Sequence, residues 1–106
     1  MPFGLWELDD AGTVIGFEPP RGEEPLFRAS EVAGKNFFAD VAPAALAEEL
    51  RERVTGFASG QAPAQSFDCT VPSAEGGVRA RVLLGRINGR SAAGSPGSVL
   101  VHVRRA

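Results

Sequence analysis

The segment Val32-Ala33-Gly34-Lys35-Asn36-Phe37-Phe38-Ala39-Asp40-Val41-Ala42-Pro43 joins an irregular, proline-rich region to an amphipathic helix, and its residue order decides the fold. Just before it, Ser30 can cap a short helical turn through Val32, which Gly34 ends. At its far end, Asp40 followed by Pro43 predicts a helix start. In that second helix Leu46, Leu50, Val54 and Phe57 recur at three- and four-residue spacing, so they form one apolar stripe. Glu49 and Arg53 fall at i and i+4 on its solvent side. Gly56 and Gly60 mark where it stops.

Upstream, Phe3 to Leu8 mixes apolar and polar positions and runs into Asp9-Asp10-Ala11-Gly12. The β-branched and aromatic run Thr13 to Phe17 follows, which predicts a hairpin. Pro19, Pro20, Gly22 and Pro25 bar regular strand or long helix from the next segment. Downstream, Phe67, Cys69 and Val71 alternate with polar neighbours, as do Val78, Ala80, Val82 and Leu84 with Arg79, Arg81 and Leu83. Residues 74–77 are the expected turn between these two strands. A last strand, Ser98 to Arg104, follows a Gly- and Ser-rich loop at 88–97. Two strands, short helices, a longer helix and three strands suit a five-stranded antiparallel sheet with helices on one face, an α+β layout. Leu46, Leu50 and Val54 are expected to pack beneath that sheet against Trp6, Leu8, Val82 and Val101.

At 106 residues the chain can bury one core and not two, so one domain spanning 1–106 is expected. Hydrophobic residues at 43% and charged ones at 23% exclude wholesale disorder. No apolar run reaches the ~18 residues of a membrane span, and MPFGLWELDD lacks the regions of a signal peptide, so a cytoplasmic protein without a membrane partner is expected. Cys69 is the only cysteine, which excludes an intrachain disulfide and a multi-cysteine metal site. All 13 acidic residues lie within positions 1–75, whereas Arg79, Arg81, Arg86, Arg90, Arg104 and Arg105 make the last third basic. With the isoelectric point near 5.4, that patch favours an acidic protein partner over nucleic acid.

The string Gly34-Lys35-Asn36-Phe37-Phe38-x-Asp40-Val41-Ala42-Pro43 closely resembles the stretch before the chromophore cysteine of the photoactive yellow protein family of PAS domains. Phe3-Gly4, Leu8-Asp9, Ala58-Ser59-Gly60 and Val101-x-Val103-Arg104-Arg105 agree as well. The resemblance implies a PAS fold over nearly the whole chain, with an insertion at 88–97. In that family a cysteine directly after the Asp-Val-Ala-Pro run carries a hydroxycinnamoyl thioester, and the position here is Ala44. A tyrosine and a glutamic acid hold the chromophore phenolate there, and the ungapped match puts Phe17 and Arg21 in their places. The chain has no tyrosine, and an arginine does not accept a proton at physiological pH. The resemblance therefore implies a light-blind sensory or interaction module with no cofactor. The family's N-terminal cap is expected to be missing, so that the outer sheet face shows Leu5, Leu83, Leu100 and His102 among arginines, a surface for a homodimer or a signalling partner.

Two candidate sites follow. The PAS cavity would be lined by Phe17, Arg21, Val41, Ala44, Cys69 and Val71 and would take a non-covalent, anionic small molecule if Arg21 faces it, since an unpaired buried charge needs a counter-ion. An Arg21 swung outward from the Pro-rich segment would instead be ordinary surface. The outer face offers Leu5, Arg79, Arg81, Leu83, Leu100, His102 and Arg104, with the arginines near the rim where they could meet acidic groups such as Glu7. Strand alternation puts His102 outside and leaves it no second metal ligand. Cys69 reads as a small buried hydrophobe, a reactive thiol being the alternative. Catalysis lacks a nucleophile with a histidine base, a phosphate loop or a metal cluster. Glu23-Glu24 and Glu48-Glu49 read as solvated surface.

Overall fold

Asp9 closes the first hairpin, formed by β1 (Gly4–Leu8) and β2 (Val14–Glu18). Its Oδ1 accepts the N–H groups of Ala11 at 2.9 Å and Thr13 at 2.8 Å, so the side chain does the work of a backbone turn. Gly12 is required twice over: its φ is +84°, and a Cβ there would lie 2.8 Å from the Phe38 ring. At Gly4 a Cβ would lie 2.6 Å from the Glu18 carbonyl oxygen and 2.8 Å from the Phe17 ring. The computed structural model describes residues 3–22, 28–73, 76–87 and 98–106. The expected loop at 88–97 with Arg90, together with Glu23, Glu24 and Pro25, lies outside the described residues.

The first helix, α1 (Ala29–Val32), begins earlier than a Ser30 cap predicts. Arg28 is the N-cap, and the Glu31 carboxylate accepts its N–H at 3.2 Å, so the cap is supplied from inside the helix and Ser30 lies within the first turn. The expected helix start at Asp40 is likewise corrected. Residues Phe37–Val41 form a π-helical turn capped by Asn36, whose Oδ1 accepts from Phe38 at 3.0 Å and Ala39 at 2.9 Å. Asp40 answers by accepting the Asn36 N–H at 3.0 Å. The Asn36 Nδ2 donates to the Ala11 carbonyl at 3.2 Å, and Val14 and Phe37 donate to the Lys35 and Gly12 carbonyls at 2.8 and 2.9 Å. The segment is thus stitched onto the hairpin, which explains why its residue order is so particular.

The long helix α2 (Ala44–Ser59) starts behind Pro43, whose fixed φ of −57° suits the entry to a helix. Leu46, Leu50, Val54 and Phe57 are its buried residues, as their spacing predicts. Arg53 lies with its guanidinium 4.8 Å from the Phe67 ring centroid, over β3, and makes no ion pair with Glu49 among the described residues.

Three strands complete the sheet: β3 (Ala64–Ser73), β4 (Gly76–Ile87) and β5 (Ser98–Arg105). The order is β2-β1-β5-β4-β3 and every pair is antiparallel, so the first and last strands meet at the centre. Gly76 and Gly77, expected in the turn, belong to β4; residues 74–75 lie outside the described residues. Pro72 is tolerated in β3 because that strand is an edge. One sheet face carries Trp6, Leu8, Val82, Leu84, Val101 and Val103, and these share a single core cluster with the α2 stripe. Rings stack through it: Trp6 lies 4.1 Å from Phe17 and 5.1 Å from Phe37, and Phe37 lies 5.5 Å from Phe38.

The C-terminus of α2 is held by a residue of β4. The Arg86 guanidinium donates to the carbonyls of Ala62 at 2.9 Å, Ala58 at 3.3 Å and Gly60 at 2.8 Å, and also to that of Phe57. It lies 4.4 Å from the Phe57 ring centroid. A positive fork at the negative end of the helix supplies donors to carbonyls of its last turn and of the segment that follows. No helix among the described residues is long and apolar enough to cross a membrane.

Candidate functional site

The inner residues divide in two. Val41, Cys69 and Val71 are buried in the core cluster, and Phe17 packs half-buried against it through Trp6. Ala44 is the exposed first residue of α2, and Arg21 is exposed in the turn after Pro19-Pro20. The physical reason for Arg21 is desolvation, since a guanidinium has no counter-ion in that apolar cluster and keeps its hydration outside it. Burial pushes the Cys69 thiol above the ordinary cysteine range, with Glu49 and Asp68 adding to the shift. Among the described residues no three side chains gather as a metal site.

On the outer face, His102 of β5 stands opposite Leu5 of β1 on one side and Leu83 of β4 on the other. Leu100 is flanked in the same way by Glu7 and Gly85. Leu5, Leu83, Leu100 and His102 are all half-buried, so this strip is less open than alternation alone suggests. Within the chain Arg79 and Arg81 pair with Asp68 on β3, at 3.8 and 2.9 Å, and the hydrogen bond from Arg81 holds the Asp68 carboxyl below the usual aspartate range. Glu7 accepts from the Ser98 hydroxyl at 2.6 Å. Arg104 faces Arg81 across the β4–β5 ladder and has no ion pair among the described residues.

Two clefts flank this framework. One, of about 420 Å³, lies between the first turn, the π-helical turn and α2, with Asp9, Asn36, Phe38 and Arg51 among its walls. The other, of about 670 Å³, lies at one end of the outer face and gathers Leu5, Arg21, His102 and Arg104. Arg21, placed with the inner residues by sequence, thus joins members of the outer-face group. Neither cleft is lined by Val41, Ala44, Cys69 or Val71. Sequence reasoning missed two features. Ile15, 53% exposed on edge strand β2, is the exposed large hydrophobic residue among those described, signalled only by the adjacent pair Val14-Ile15. Arg86 was legible merely as one basic residue of six.

Incubated with activated hydroxycinnamic acid, the protein is expected to stay colourless, because Ala44 offers no thiol and the buried Cys69 thiol is held in its neutral, unreactive form. A visible absorbance band that survives denaturation would refute this, and Cys69→Ala would then show whether Cys69 had substituted.

No protein-family profile matches the chain. Photoactive yellow protein from Rhodothalassium salexigens is 38% identical over 53 residues, which are 50% of this chain and 42% of that protein, so the match spans less than half of the relative's length. Among solved structures, the photoactive yellow protein domain of the sensor histidine kinase Ppr from Rhodospirillum centenum is 26% identical with a TM-score of 0.68, over 99% of this chain and 87% of that one. The PAS domain of the RpfR quorum-sensing receptor of Cronobacter turicensis, solved with C12:0, is 19% identical with a TM-score of 0.63, over 99% and 94% of the two chains. A sensory box sensor histidine kinase from Vibrio cholerae is 12% identical with a TM-score of 0.69, over 98% and 83%. The last two bear on the fold alone, and the fold they share is the one described above. With the antiparallel sheet, its helices on one face and the Gly34–Pro43 string in place, the chain has the PAS fold and is similar to photoactive yellow protein, carrying Ala44 where the resemblance puts the chromophore cysteine.

Proposed function

We propose that the chain is a light-independent sensory module of bacterial-type signalling that acts by protein contact on the outer face of its sheet, with self-association as the first form of that contact. The observation that carries this reading is the row Leu5, His102 and Leu83, which stands side by side across the three central strands with Leu100 next to it. A two-fold contact would bury the same row on both subunits. The origin of the solved relatives, in sensor histidine kinases and a quorum-sensing receptor, supports a signalling setting. No catalytic step and no cofactor belong to this reading.

A second reading, a non-covalent small-molecule sensor, is favoured by one observation: the RpfR PAS domain is solved in complex with C12:0 and with BDSF. One experiment weighs both. Native mass spectrometry of wild type and Leu83→Glu, with circular dichroism to confirm folding, should show a wild-type dimer at micromolar concentration. Self-association should weaken about tenfold or more in the variant, which sets an unpaired carboxylate in an apolar contact. A wild type that stays monomeric sinks the self-association reading, and a retained small molecule in the spectrum favours the second.

A further inference from the structure

The cleft of about 670 Å³ lies where β1 and the end of β5 meet the turn after β2. Leu5, Pro19 and Pro20 provide its accessible apolar surface; Arg21, Arg104 and Arg105 provide its charge, against Glu18 as its carboxylate. Arg105 lies 5.1 Å from the Phe3 ring centroid. Arg21 and Arg104 have no ion pair among the described residues, and Asp68, which shares a row of the sheet with Arg104, is taken by Arg79 and Arg81. The protein carries a formal net charge of −2, so this positive cleft is a local arrangement that overall composition hides.

We infer that this cleft takes an acidic segment of a partner polypeptide, anchored by an apolar side chain against Leu5, Pro19 and Pro20 and paired through its carboxylates with Arg21 and Arg104. The inference rests on the outer-face reading and adds the chemistry of the partner. Charge complementarity selects an acidic occupant. Shape selects a polypeptide over a small molecule. Sites for small ligands enclose most of the ligand surface, whereas Arg21 and Arg104 of this cleft are exposed side chains. An extended chain can reach both and bury apolar and charged contacts together.

The test is a nuclear magnetic resonance titration of the ¹⁵N-labelled protein with a short peptide made of glutamates and aspartates around one leucine and one phenylalanine. Its lysine counterpart and dodecanoate serve as comparison probes. The acidic peptide should shift the amides of Leu5 and of residues 102–105 at submillimolar concentration, and more weakly as salt rises from about 50 to 300 mM. Arg21→Glu with Arg104→Glu, both at exposed positions, should weaken that binding about tenfold or more. Leu83→Glu should leave it nearly intact while disrupting self-association, so the two proposals fail separately. Absence of shifts at about 1 mM peptide, shifts that the lysine peptide matches, or shifts that map elsewhere would overturn the assignment. So would a response to dodecanoate without one to the peptide, which would make the cleft a small-molecule site.

Discussion

Trp6→Ala is expected to remove about 3–5 kcal/mol of folding stability, the range for a fully buried aromatic truncated to alanine. Trp6 is 0% exposed and sits on central strand β1, stacked between Phe17 of β2 and Phe37 of the π-helical turn. Removing it takes away apolar burial and also one of the contacts that tie the hairpin to the segment capped by Asn36. For a domain whose total stability is of order 5–15 kcal/mol, such a loss leaves little margin. In urea, with a slope of about 1.5 kcal/mol/M, the midpoint followed by circular dichroism should fall by about 2–3 M. Trp6→Phe keeps a ring in the stack and should cost clearly less. A loss under about 1 kcal/mol for the alanine variant would mean that the stack does not organise the core.

Arg86→Ala should cost about 2–3 kcal/mol, because it removes charge-assisted hydrogen bonds to the carbonyls of Phe57, Ala58, Gly60 and Ala62 and the favourable charge at the end of α2. Those carbonyls lie on the last turn of the helix and the segment leading to β3; that of Phe57 keeps the Gly60 N–H, and all four lose the Arg86 donor. Arg86→Lys keeps the charge but not the planar fork, and should recover only part of the loss. The distinguishing readout is hydrogen exchange. In Arg86→Ala the amides near the C-terminus of α2 should lose protection by more than the global change, because that end of the helix opens locally. Uniform loss of protection across the sheet, or stability within about 0.5 kcal/mol of wild type, would show that Arg86 is not the residue that holds the helix.

The local pattern carried a large part of this protein. Alternation placed Val82, Leu84, Val101 and Val103 on one face, and the spacing of Leu46, Leu50, Val54 and Phe57 marked the face of α2 that meets them. Both follow from backbone periods that each segment carries within itself. The string through Asn36 identified the PAS fold, and its hydrogen bonds to Ala11 and Asp40 show why those residues stand together. Helix starts were less legible at Ser30 and Asp40, because several polar side chains in a row can cap a turn, and backbone geometry chooses among them. What belonged to the tertiary structure alone was the pairing of residues far apart in sequence. Asp68 takes Arg81 because β3 and β4 adopt one register, Arg86 reaches the end of α2 across more than twenty residues, and Arg21 comes to lie beside Leu5, His102 and Arg104. A charged side chain carries no local mark of its partner: its position is set by desolvation and by whichever opposite charge or carbonyl the completed sheet brings within reach.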